Sequence, residues 1–266
     1  VIVSESTNIS LCVKSTMSKD PNTYSDMFRV EKGSSLTLGD NEKNGKHGVI
    51  LDGRGTAHMG RLVCVEVGGS LNIYPGTEIK NNNSMDGRGS GIINKGTMMM
   101  YGGTISGNKF ATTEKNFQEV NLKDDDDKTY CHGGGLRNDG NCTIKAGTIS
   151  GNTAATGGGI YTTGPDYESD QKEAVLKITK CKIENNKALG TDRGTGGGIV
   201  VGSYMGTYYD KTLKQRVQYV KSGGTLIIDG GGNNEVHISG NAAGNGNFGV
   251  AGGIMNNGYA EIKNCI

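Results

Sequence analysis

Two short motifs alternate along this chain, and their alternation constrains the fold more than any other feature. A glycine doublet or triplet runs into an aliphatic residue at Gly133 to Leu136, Gly157 to Ile160, Gly196 to Ile199 and Gly252 to Ile254, with the variant GSGI at Gly89 to Ile92. Between copies comes I-x-x-N, at Ile79 to Asn82, Ile105 to Asn108, Ile149 to Asn152, Ile183 to Asn186 and Ile238 to Asn241. Such a returning pattern marks a solenoid, in which each turn buries its apolar stripe only against its neighbours. It says less about activity, because one repeating scaffold serves many functions.

Composition agrees. Glycine fills 46 of 266 positions, there are 3 prolines and no tryptophan, and only 33% of residues are hydrophobic. That is a thin apolar share for a compact globule but enough for stacked coils. The glycines lack a G-x-y period, which excludes collagen. Lysine and arginine number 28 against 27 acidic residues, with no basic cluster, so nucleic acid is not an expected partner. No window approaches the roughly 18 apolar residues of a membrane helix. The chain opens on Val1, which reads as a processed or excised piece.

The cleanest repeat starts at Gly133 and restarts at Gly157, 24 residues on. Within it, three short strands are expected around Leu136, Thr143 to Lys145 and Thr148 to Ser150, separated by glycine or asparagine corners. The predicted fold is all-β: a right-handed parallel β-helix with three strands per coil and about seven coils, a rod of about 35 Å. Leu136, Ile144 and Ile149 should point inward and meet Ile160, Ile178 and Ile183 of the next coil. Asn82, Asn108, Asn152, Asn186 and Asn241 should form a structural ladder, since asparagine tolerates a left-handed corner and its amide can bond the copies above and below. Residues 1–33 lack the pattern and are expected as an amino-terminal cap. The β-helix then runs over 34–266 with insertions at 109–130, 162–173 and 203–222. Aligning Cys265 with Cys181 stops the chain in mid-coil, so further repeats or a covering partner are expected at that end.

Over about residues 70 to 266, GG-[IL] followed by I-x-x-N resembles the repeats of the polymorphic outer-membrane protein family, right-handed β-helix surface proteins. That family alternates GGA-[ILV] with F-x-x-N. This chain departs from it in using isoleucine for phenylalanine and glycine or nothing for the alanine, so the resemblance is to the superfamily. It implies an adhesin-like rod, extracellular or at a cell surface, and carries no catalytic residues with it.

Coils are scaffold, so the interruptions are the candidate functional surface. From the GG-I aliphatic to the ladder isoleucine is 13 residues in plain coils, but 23 from Ile160 to Ile183 and 39 from Ile199 to Ile238. The extra chain is Thr162 to Glu173 and Ser203 to Ser222, expected side by side at one corner. Tyr204, Tyr208, Tyr209, Tyr219 and Arg216 of the second, with Tyr167 of the first, form the candidate site for a host or cell-surface protein or glycan. Tyrosine and arginine offer rigid contact area with polar tips. A bare β-hairpin packed on the coil is the alternative for the second insert. Asp124 to Lys128, DDDDK, reads as a solvated loop and not a metal site.

The enzymatic alternative is a polysaccharide lyase or glycoside hydrolase, which needs carboxylates converging from adjacent coils. Asp52, Asp86, Asp139, Glu184, Asp192 and Asp229 are scattered, and none is expected in one phase with a second acid. His47, His58, His132 and His237 lack metal-site spacing. Cys12, Cys64, Cys131, Cys142, Cys181 and Cys265 read mainly as small core fillers, with Cys131 to Cys142 the one pairing left open. The reading is therefore a non-catalytic binding protein with no metal and no cofactor.

Overall fold

The computed structural model describes residues 1–3, 8–11, 15–18, 25–40, 47–55, 57–58, 60–84, 90–110, 132–164, 174–190, 194–202, 204–210, 215–221, 223–233, 235–244 and 249–266. Successive stretches of chain coil into parallel sheets that run the length of the molecule. In the plain coil the strands are Leu136–Asn138, Asn141–Ile144, Thr148–Ser150 and the short Thr153–Ala154. Each pairs in parallel with its counterparts one coil away. The chain is a parallel β-helix with three principal strands per coil and a two-residue fourth that follows the ladder asparagine.

Among the described residues the first and second sheets hold eight strands, the third seven and the fourth six. Seven coils follow from Phe28. Residues 1–33, expected as a cap, supply an eighth: Ile2–Val3, Asn8–Leu11 and Ser15–Ser18 pair in parallel with Phe28–Val30, Ser35–Leu38 and Val49–Asp52. The glycine and asparagine signature is missing there. Alternation is not, and Ile9, Leu11 and Met17 pack against the core.

The core is a set of aliphatic columns. Leu136 lies over Ile160, Ile144 over Ile178 and Ile149 over Ile183, as the repeat alignment requires. All six are fully buried. Each such side chain contributes about 2 kcal/mol by leaving water. Cys142 and Cys181 fill small positions in the same core, and Cys181, Val236 and Cys265 share one phase. Cys142 is a free thiol, so it makes no bridge to Cys131; Cys131 and Cys12 lie outside the described residues.

The asparagine ladder is continuous. The backbone N–H and the side-chain amide of Asn108 both donate to Asn152 Oδ1, at 3.0 and 3.1 Å, and Asn186 does the same to Asn241 at 3.0 and 2.9 Å. The left-handed bend, however, lies one residue earlier than expected. Positive φ belongs to Asn81 (56°), Gly107 (63°), Gly151 (63°), Asn185 (57°) and Gly240 (62°), not to the ladder asparagines. The turn is made first, which leaves the next side chain free to lie along the stack. A second inward polar column runs parallel to it, unmarked by any repeat of residue type: the Asn94 amide donates to Asn138 Oδ1 at 2.8 Å, and the Asn138 amide to Thr162 Oγ1 at 3.1 Å.

Candidate functional site

The corner between the first and second sheets is where chain is added. In the plain coil only Asp139 and Gly140 separate the two strands. In the next coil Ile160–Thr162 ends the first-sheet strand and Val175–Ile178 begins the second-sheet strand; one coil later the corresponding strands are Ile199–Val201 and Thr225–Asp229. These strands pair directly with each other, so both inserts leave and return at one corner in adjacent coils. Their roots touch: Thr163 and Gly223 form an antiparallel bridge, and Gly202 N–H donates to Thr162 O at 2.8 Å.

The second insert is an antiparallel hairpin of Tyr204–Asp210 and Gln215–Lys221. Its register sets Tyr204 opposite Lys221, Gly206 opposite Tyr219, Tyr208 opposite Val217 and Tyr209 opposite Arg216. Paired residues share a face and successive pairs alternate. Positions 204, 208 and 219 therefore fall on one face of the ribbon, and 209 and 216 on the other. Tyr167 lies outside the described residues, as do 111–131 of the third insert, whose Lys109 and Phe110 form a strand of the fourth sheet.

Beneath the hairpin's foot is a polar cluster on the outer face of the first sheet. The His132 and Tyr161 rings stack with centroids 4.0 Å apart. A Cβ at Gly202 would come 2.5 Å from Tyr161 Oη, so only glycine admits the ring where the hairpin departs. Arg137 and Asp139 form a buried ion pair at 3.0 Å one coil below Tyr161. Burial holds the His132 imidazole well below its usual pKa; Arg137 adds to that and Asp139 partly opposes it. His132 is thus a buried neutral ring, a placement its sequence neighbours did not announce.

Toward the amino-terminal coils the same face carries linked charges. Asp26 Oδ1 accepts from the Arg61 backbone N–H (2.9 Å) and guanidinium (3.1 Å), and Asp26 Oδ2 accepts from Arg29 at 3.0 Å. Arg29 also pairs with Glu66, which accepts from Lys95 at 3.1 Å. Burial would raise the Glu66 carboxyl, but Lys95, a Cys64 thiol hydrogen bond and Arg29 together hold it below the usual range. Burial also pushes the Cys64 thiol up to about 12, with Asp26 and Glu66 adding to it.

The expectation that no two acids share a phase needs correction: Asp52 and Glu184 stand in one third-sheet column, four coils apart, and a closer pair lies at the first corner. Val65, Asn94 and Asn138 are stacked partners, which puts Glu66, Lys95 and Asp139 in one column. The two carboxylates are two coils apart, about 10 Å, with the lysine between them. Asp26, Glu66 and Asp139 are each engaged by a cation. Among the described residues, no group of three or more His, Cys, Asp or Glu could hold a metal ion, and no helix is long and apolar enough to cross a membrane.

One further aromatic stack lies at the corner between the second and third sheets. Tyr74 and Tyr101 stack at 4.7 Å, and Lys145 Nζ sits 4.9 Å from the Tyr101 centroid. Each follows the last inward residue of its second-sheet strand (Ile73, Met100 and Ile144), a phase visible in the sequence once the coils are aligned.

Comparison with protein-family models, curated proteins and solved structures returns no match.

Proposed function

We propose that this chain is a non-catalytic binding protein, secreted or displayed at a cell surface, that engages a host protein or glycan through the inserts at the first corner. The observation that carries this reading is their shared root. Two adjacent coils both open at one corner, and Thr163 bridges Gly223 where they do. Rigid coils hold inserts in place at little entropic cost to recognition. The tyrosine and arginine content of the hairpin is the composition that binding surfaces favour. The resemblance of the repeats to those of the polymorphic outer-membrane protein family supports the same adhesin-like role.

The test replaces residues 203–222 with the Asp-Gly corner of the plain coil and compares both chains on a glycan array and in a pull-down of host surface proteins. Loss of binding with unchanged thermal unfolding of the coils is the expected result. Unchanged binding removes the hairpin from the function.

A further inference from the structure

We infer that the hairpin takes an extended acidic peptide, which adds to it as a further strand. This deepens the binding role proposed above and rests on it. The hairpin pairs through seven residue pairs, Tyr204 with Lys221 to Asp210 with Gln215. Among the described residues its sheet has two strands and no third. A two-stranded ribbon is marginal on its own, and its outer edge presents backbone N–H and C=O groups that another strand can satisfy. A polypeptide carries the complementary donors and acceptors along its backbone; a glycan does not.

Charge selects the kind of peptide. Residues 203–222 contain Lys211, Lys214, Arg216 and Lys221 against the single carboxylate Asp210, net +3 in a chain whose whole charge is +1. The register sets Tyr209 against Arg216 and Tyr204 against Lys221, so two tyrosine positions are matched with cations across the ribbon. An acidic strand laid beside it gains backbone pairing and charge neutralisation together. The neighbouring insert has the opposite sign: Asp166, Glu168, Asp170 and Glu173 against Lys172. It is the competitor that the test must separate from an external partner.

The probe is a fluorescein-labelled twelve-residue peptide of alternating Glu and Val, titrated with the intact chain and followed by fluorescence anisotropy. Saturable binding is expected, weakened about tenfold or more by R216E/K221E, retained by R216K/K221R, and weakened as strongly when alternate peptide amides are N-methylated. Equal binding of a Lys-Val peptide or of the N-methylated peptide overturns the inference, as does binding of a sulfated glycosaminoglycan alone. Binding that emerges only after residues 165–173 are removed also overturns it, since the chain's own acidic insert is then the occupant. If replacing 203–222 abolishes host binding while the Glu-Val peptide never binds, the inference fails and the binding role stands. If that replacement leaves host binding unchanged, it is the binding role that fails.

Discussion

Asn152 gives two hydrogen bonds to a single atom of Asn186: its backbone N–H and its side-chain amide both reach Asn186 Oδ1, each at 3.0 Å. The same amide also donates to Ile105 O at 3.0 Å, in the coil before. One buried side chain thus ties three consecutive coils together, and the column does this from Asn108 through Asn186. At the amino-terminal end of the ladder, Asn82 Oδ1 is buried and, among the described residues, accepts no hydrogen bond.

Asn152→Ala should therefore cost about 3 kcal/mol, because it strips the acceptor from two Asn108 donors in a site closed to water. Asn241→Ala should cost about 1 kcal/mol, since Asn241 is only half-buried and water can replace the lost bonds. Equilibrium denaturation of the two variants checks the order. Equal losses would mean that the ladder does not act through burial.

The glycine run before the first-sheet strand is set by close backbone approach. A Cβ at Gly159 would sit 2.6 Å from Gly198 O and 3.0 Å from Asn186 Nδ2, whereas one at Gly232 meets nothing within 4 Å. Gly159→Ala should lose about 2 to 3 kcal/mol and Gly232→Ala should stay within about 0.5 kcal/mol. Thermal melts of both variants decide it.

His132 gives a pH dependence of known sign. Its folded pKa is depressed from the ordinary 6.5, so the unfolded chain takes up a proton that the folded chain refuses. The stability from this group is present above 6.5 and is lost as pH falls, by up to about 1.4 kcal/mol per pH unit. Denaturation midpoints between pH 7 and 5 should fall less steeply in His132→Phe, which keeps a ring against Tyr161. Identical slopes would place His132 in solvent.

Burial raises the Cys64 and Cys181 thiols from the ordinary 9.0 to about 12. Their contribution is intact below pH 9 and is lost as pH rises from 9 toward 12. Alkylation at pH 8 followed by peptide mass mapping should modify Cys265, which is partly exposed, and spare Cys64, Cys142 and Cys181 until the coils unfold. Fast modification of Cys181 would mean that the core column is open.

The columns were legible because the repeat carries its own alignment. Superposing the GG-[IL] runs puts Leu136 over Ile160, and superposing the I-x-x-N runs puts Ile105, Ile149 and Ile183 in one column. Identity of residue type does not mark the Asn94 to Asn138 column, because its third member is Thr162. Glu66, Lys95 and Asp139 carry no such mark either, since charges of alternating sign do not repeat one letter. Residues 1–33 lack the glycine and asparagine signature, yet inward alternation alone pairs them in parallel with the next coil. The inserts appeared as excess length, and length does not specify a hairpin's register or which face a tyrosine occupies.

The parallel stacking and its register are written in the repeat, because an aliphatic in phase on every coil is buried by stacking like over like. The burial of His132, the sharing of Arg29 between Asp26 and Glu66, and the bridge from Thr163 to Gly223 exist only in the folded coil. Those contacts join residues whose separations follow no period, so they come into being only when the coils have already set the distances between them.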